Sequence, residues 1–256
     1  MKTIHQETLG VGKPIILVHG WGMHTGIWRA FAHQLAASYC VTCIDLPGHG
    51  KSEKLDDFTL ETISATLVDA VPDQPYCWLG WSLGASVVLE IARRYPERCS
   101  ALILLAGNPH FVQTDHWPGV RLNALNAFAD SLRADAEMTL TRFLSLQING
   151  LPGFKTTSKI LKSAVTECDA PDTATLNQGL SILKETDLRQ VLAQLTLPVL
   201  AILGDGDTLV PPAVGHEMQK LLPTLDLNIL DQAGHVPFLS HPEQVINIIA
   251  GFMDKQ

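Results

Sequence analysis

Gly80-Trp81-Ser82-Leu83-Gly84 holds a serine between two glycines, and this is the densest chemical signal in the chain. The surrounding stretch, YCWLGWSLGASVVLEIA from Tyr76 to Ala92, passes from large apolar residues straight into helical spacing. A strand and a helix joined with almost no loop force the residue at the joint into a strained turn. Glycines beside it remove the Cβ atoms that would collide. Such a turn lifts the Ser82 hydroxyl clear of the sheet edge, as in a nucleophile elbow. The plain alternative is a glycine-rich turn whose serine caps the helix. Other parts of the chain decide between the two.

A nucleophilic serine needs a base, and the base needs an acid that fixes its tautomer and stabilises the imidazolium. Of the ten histidines, His235 lies in LDQAGHVPFLSHP, between a predicted strand Asp226 to Leu230 and the last helix. A loop there presents it at the strand ends. His241 stands beside Pro242 at a helix start, where capping accounts for it, and His33 and His216 fall in surface helices. The acid is offered twice, as Asp205 and Asp207 of LGDGDTLVP, and either aspartate could instead cap the helix near Pro211. Asp207 is favoured because it lies further along the loop that must reach the histidine.

Acyl transfer also requires donors for a developing oxyanion, and backbone N–H groups serve best. One is expected from Leu83, the residue after the nucleophile. The other is expected from Trp21, in His19-Gly20-Trp21-Gly22 after the apolar run PIILV. Packing alone would also account for His19 and Trp21. Cys40 and Cys43 form a C-x-x-C within a predicted strand, with no second pair at zinc spacing, so no metal site is expected.

These residues need a scaffold that brings strand ends together. PIILVHG, YCVTCIDLPGHG, PYCWLGWS, ALILLAG and LPVLAILGDGD read as buried strands, with helical spacing over Ile27 to Ala37 and Leu83 to Arg94. Alternating strands and helices imply a mostly parallel sheet covered by helices on both faces, with its site at the carboxyl ends of the strands. From Asn108 to about Thr186 the spacing turns helical, with breaks at Pro118, Asn149 to Gly153 and Pro171. A helical cap over residues 108–186 is therefore expected, inserted at the catalytic rim of a core formed by residues 1–107 and 187–256.

Composition narrows the partners. The chain has 256 residues, 46% hydrophobic and 17% charged, enough for a large core and too apolar for disorder. A net charge of -8 argues against nucleic acid and anionic membrane as partners. The five cysteines are odd in number and lie largely in apolar runs, which suits free thiols in a reducing compartment. MKTIHQETLG has no apolar leader segment, so a cytoplasmic protein is expected, and a monomer.

Taken in order, HGWG, DLPGHGKS, GWSLGA, GDGDTLVP and AGHVPF resemble the α/β-hydrolase superfamily over nearly the whole chain. Its acid-loop spacing, here Gly204 to Pro211, selects Asp207. More narrowly, LVHGWGMHTGIWR, CWLGWSLGASV, RFLSLQ, LKETDLRQVL and AGHVPFLSHP resemble the pimeloyl-[acyl-carrier protein] methyl ester esterases of biotin synthesis. The resemblance implies an acyl site lined by Trp21, Ser82, Leu83, Phe143, Leu144, Ser145, Leu146, Gln147 and His235. It implies contacts to an acidic acyl-carrier protein from Arg142, Lys155 and Lys159, and no cofactor. Met138 stands where the pattern has an arginine. Lys155, Lys159 and Lys162 would share one helix face, which as an isolated feature is a solvated surface. The rival activities are a general carboxylesterase acting on small esters or thioesters, and a binding protein that keeps the fold without catalysis. A dehalogenase would need a carboxylate where Ser82 stands.

Overall fold

The apolar runs form the strands of one seven-stranded sheet, in spatial order β1-β3-β2-β4-β5-β6-β7. In chain order the core elements are β1 Gln6–Leu9, β2 Pro14–Val18, α1 Arg29–Leu35, β3 Cys40–Ile44, α2 Leu60–Asp69, β4 Tyr76–Trp81, α3 Leu83–Arg94 and β5 Cys99–Leu105. A helical insert follows, with α4 Leu122–Ala134, α5 Ala136–Leu146, α6 Phe154–Val165, α7 Thr173–Glu185 and α8 Arg189–Gln194. The chain then closes with β6 Val199–Gly204, α9 Ala213–Leu221, β7 Asp226–Leu230, α10 Pro237–Ser240 and α11 Pro242–Met253. The computed structural model describes residues 2–146 and 154–256, apart from the side chains of Glu137, Leu144, Leu146, Phe154, Lys155, Thr156, Ile160 and Val165.

All strand pairs are parallel except β1 with β3. Both faces of the sheet are buried, and alternate side chains feed two separate cores. Ile16, Val18, Trp78, Leu102 and Leu104 enter one, while Ile15, Leu17, Leu79, Ile103 and Leu105 enter the other. Strand order reverses around β2, whose neighbours are β3 and β4. Crevices open at the carboxyl ends of the strands at such a reversal, between the loop after β2 and the joint after β4.

The sequence reading misses several elements, β1, α2, α8 and α10 among them. The strand β1 is polar and largely exposed, and only its antiparallel register against β3 makes it a strand. The helix α2 begins with a reciprocal capping pair, Thr59 with Thr62. The segment 108–121 is also less helical than its spacing suggests. It is an irregular hairpin-like run held by the bridges Val112 to Val120 and Thr114 to Trp117. Asn108 fixes its base, because Asn108 Oδ1 accepts from Trp117 Nε1–H and from the His110 amide, both at 3.0 Å. Among the described residues no helix is long and apolar enough to cross a membrane.

The joint between β4 and α3 explains both glycines. A Cβ on Gly80 would lie 2.2 Å from the Gly84 carbonyl oxygen, and one on Gly84 would lie 2.3 Å from that of Val18. Backbone lies on both sides, so neither neighbour can yield cheaply. Gly84→Ala is therefore expected to destabilise the fold by about 1–3 kcal/mol and to disturb the serine turn. Gly251→Ala, in α11 where nothing lies within 4 Å of the added carbon, should raise stability by about 0.5–1 kcal/mol. Chemical denaturation of the two variants checks this, and equal effects would contradict it.

Candidate active site

Ser82 follows β4 directly and starts α3, with φ 56° and ψ -116°, a backbone conformation that ordinary side chains rarely adopt. Its own amide is tied to the Leu105 carbonyl of β5 at 3.1 Å. The hydroxyl is thereby lifted from the sheet toward the loop after β7. There His235 Nε2 lies 2.9 Å from Ser82 Oγ, and His235 Nδ1 lies 2.7 Å from Asp207 Oδ2. The carboxylate accepts the Nδ1 proton, which leaves Nε2 free to accept the serine hydroxyl.

Backbone contacts hold each partner. Asp207 Oδ1 accepts from the amides of Leu209 and Val210 at 2.8 and 3.0 Å, which closes the acid loop on itself. That loop is fastened to the histidine loop by Gly206 N–H to the Ala233 carbonyl at 2.9 Å. Trp81 Nε1–H donates to the His235 carbonyl at 2.7 Å, so the residue before the serine also anchors the histidine. Sequence reasoning assigns Trp81 no such part, and its type alone carried no signal. Asp207 and His235 are buried, while Asp205 is exposed. Asp205 offers only its backbone, its amide donating to Leu230 O at 3.0 Å.

His241 does stand at the start of α11, but its side chain makes no cap. Its Nδ1 is engaged by the Ser240 hydroxyl at 2.8 Å instead. His33 and His216 lie on α1 and α9 as expected.

Beside Ser82 lies a cavity of about 150 Å³, bounded by Trp21, Phe128, Phe143, Leu180 and Leu209 among others. Trp21 is buried and stands edge-on to Phe128 and Phe143, and its Nε1–H donates to the Leu176 carbonyl of α7 at 2.9 Å. The amides of Trp21 and Leu83 donate to no protein acceptor among the described residues. Leu83 N–H is the first of α3, where the helix dipole favours negative charge. Of the expected lining, Phe143 reaches the cavity, whereas Ser145 is exposed and its hydroxyl donates to the Thr141 carbonyl. Gln147 and the side chains of Leu144, Leu146 and Lys155 lie outside the described residues. Phe111, Val120, Leu125 and Leu183 line the cavity without having been expected. Their only sequence signal was apolar spacing, which core packing produces equally.

The rings of His19, which follows β2, and His49, in the loop after β3, are buried 5.4 Å apart, and burial holds the pKa of each down to about 3. Asp45 nearby accepts from the amides of Thr25 and Lys51.

The sequence pattern of the alpha/beta hydrolase fold matches residues 13–242. The chain belongs to the α/β-hydrolase family. It is 43% identical over 247 residues to a pimeloyl-[acyl-carrier protein] methyl ester esterase of Methylococcus capsulatus, covering 96% of this chain and 97% of that one. It is 38% identical over 255 residues to the protein of the same name from Edwardsiella ictaluri, covering 99% and 98%. The structure of an esterase from Exiguobacterium antarcticum superposes with a TM-score of 0.89 at 21% identity, covering 99% of this chain and 96% of that one, a likeness of fold.

The buried histidines set a pH dependence of stability for this hydrolase. Unfolded, each has its ordinary value of 6.5, and folded, about 3. Between those values the unfolded chain binds protons that the folded chain does not, so stability falls as pH falls through that window. The loss is at most about 1.4 kcal/mol per pH unit for each histidine. The melting temperature should decline steadily from pH 6.5 to 4.5, and His49→Gln should flatten the slope. A wild-type melting temperature constant over that range would contradict this assignment.

Proposed function

We propose that the protein is a serine esterase that hydrolyses the methyl ester at the end of a pimeloyl chain carried by acyl-carrier protein, in biotin synthesis in the cytoplasm. The observation that carries the chemistry is the continuous Ser82, His235, Asp207 hydrogen-bond chain opening on an apolar cavity. The substrate follows from full-length relatives that share the esterase name.

In this mechanism Ser82 Oγ attacks the ester carbonyl while its proton passes to His235 Nε2. Asp207 stabilises the imidazolium through Nδ1. The Trp21 and Leu83 amides receive the oxyanion, aided by the N-terminus of α3. His235 returns the proton to the leaving methoxide, and methanol departs. Water then attacks the acyl enzyme and gives a proton to His235, which passes it to Ser82 Oγ as the acyl–oxygen bond breaks and the free acid leaves.

The helical insert serves as the cap, and its charge suits an acidic carrier. Residues 138–166 carry Arg142, Lys155, Lys159 and Lys162 and no carboxylate, although the whole chain has a net charge of -8. Arg142, Lys159 and Lys162 are exposed, and none of the three has an ion-pair partner among the described residues. Most cations of the core are paired by contrast, as Arg93 and Arg94 are to Glu90. The apolar side chain of Met138 on α5 is half exposed in this stretch, so carrier attraction there comes from the four cations alone.

Exposed charge pairs contribute about 0.2–1 kcal/mol each, so a double reversal is the informative variant. Arg142→Glu with Lys159→Glu should lower kcat/KM on the carrier-linked methyl ester about tenfold at low salt, with the gap closing as salt rises. Turnover of an uncharged aryl ester should change less than about twofold, since steering charges do not act on it. Equal losses on both substrates would assign the patch to cap integrity, and wild-type preference for aryl esters would favour a general carboxylesterase.

A further inference from the structure

We propose that His19 is a positioning residue for the oxyanion pocket: it holds the Gly20 carbonyl and thereby aims the Trp21 N–H into the space beside Ser82. The proposal rests on the serine-hydrolase reading above, and it gives a chemical part to a histidine that neither attacks nor transfers a proton.

His19 directly follows β2 and is fully buried. The Leu46 amide lies 2.9 Å from His19 Nε2, and an amide N–H can only donate. A neutral imidazole has one donor and one acceptor nitrogen, so Nε2 is the acceptor and Nδ1 carries the proton. That Nδ1–H donates to the Gly20 carbonyl at 2.8 Å. The Met23 amide donates to the same oxygen at 3.3 Å. Burial holds His19 down to about 3, which keeps the ring neutral and both bonds available near neutral pH.

The consequence comes from the peptide bond. The chain has no cis peptide among the described residues, and in a trans peptide the C=O and the following N–H point in opposite directions. The Gly20 carbonyl is drawn toward His19 and Met23, so the Trp21 N–H points away from them. A Cβ on Gly20 would lie 3.1 Å from Ser82 Cβ, which puts this peptide directly beside the nucleophile. Trp21 and Ser82 also border the same cavity. Without the His19 bond the Gly20–Trp21 peptide loses its strongest restraint and can rotate its N–H out of line.

Two isosteric variants separate this role from packing. In His19→Asn the amide nitrogen falls near the Nδ1 position and keeps a donor for Gly20. In His19→Gln the longer side chain reaches the Nε2 position and keeps an acceptor for Leu46. The probe is a trifluoromethyl ketone with a short apolar chain. Ser82 Oγ bonds to its carbonyl carbon, the serine proton passes to His235, and the ketone oxygen becomes the oxyanion.

With an aryl ester, His19→Gln is expected to lose about 100-fold in kcat, the scale of one oxyanion donor, with KM within about threefold. Its inhibition constant for the ketone should rise in parallel, whereas His19→Asn should stay within about fivefold of wild type on both measures. Equal values for the two variants, per folded enzyme, would overturn the proposal. The wild-type enzyme gives a second readout that needs no variant. Nitrogen-15 NMR should show the Nδ1–H tautomer of His19, with its resonances moving when the ketone adduct forms. An Nε2–H tautomer, or resonances unmoved by the adduct, would overturn it. A wild-type enzyme that forms no adduct on Ser82 would instead reject the serine-hydrolase reading, and the proposal with it.

Discussion

The strained backbone of Ser82 is the constraint from which the rest of the site follows. A residue at φ 56° and ψ -116° persists only where its surroundings over-determine it. Here the surroundings are β4, held between β2 and β5 in the middle of the sheet, and α3, packed so closely that Gly84 meets the Val18 carbonyl. The turn that results has two consequences at once. It projects the hydroxyl toward His235, and it exposes the first amide of α3 to whatever the hydroxyl attacks. The projecting hydroxyl and the free first amide of α3 are thus products of one piece of backbone geometry.

The remaining groups reach this point from separate strand ends, and each is fixed by contacts that have no chemical role. The acid loop folds around Asp207 Oδ1, leaving Oδ2 for the histidine. Trp81 holds the histidine loop by its carbonyl. Trp21 links the core to the insert, because its indole donates to α7 and its ring meets Phe128 of α4 and Phe143 of α5. Gly179 makes room for that indole, since a Cβ there would lie 2.8 Å from Trp21 Cδ1. The seat of the insert and the backbone of the loop after β2 are therefore set by the same residue.

What could be read in the sequence is what covalent neighbours determine. The boundaries of α3 and β7, and the choice of Ser82, His235 and Asp207, depend on local spacing around glycines and prolines. The strand β1 was illegible because QETL becomes a strand only through its partner β3. Most of the cavity wall was illegible for a different reason. Phe111, Leu125 and Leu183 come from three segments of the insert, and an apolar residue facing a cavity has the same type as one facing the core. The irregular run 108–121 carries helical spacing too, but Asn108 and the two bridges bind it into another shape.

The central claim is that Ser82 takes the chain from methanol and keeps its thioester link to the carrier. Acid quench of the enzyme with carrier-linked methyl ester, within the first turnover, followed by mass analysis of intact protein and peptides, tests this most directly. The expected product is enzyme joined to the whole carrier through the dicarboxylate chain, on the peptide bearing Ser82, with methanol released in equal amount and nothing on Ser82→Ala. Free carrier released from a short acyl enzyme would place cleavage at the thioester, and an adduct on any residue other than Ser82 would contradict the account.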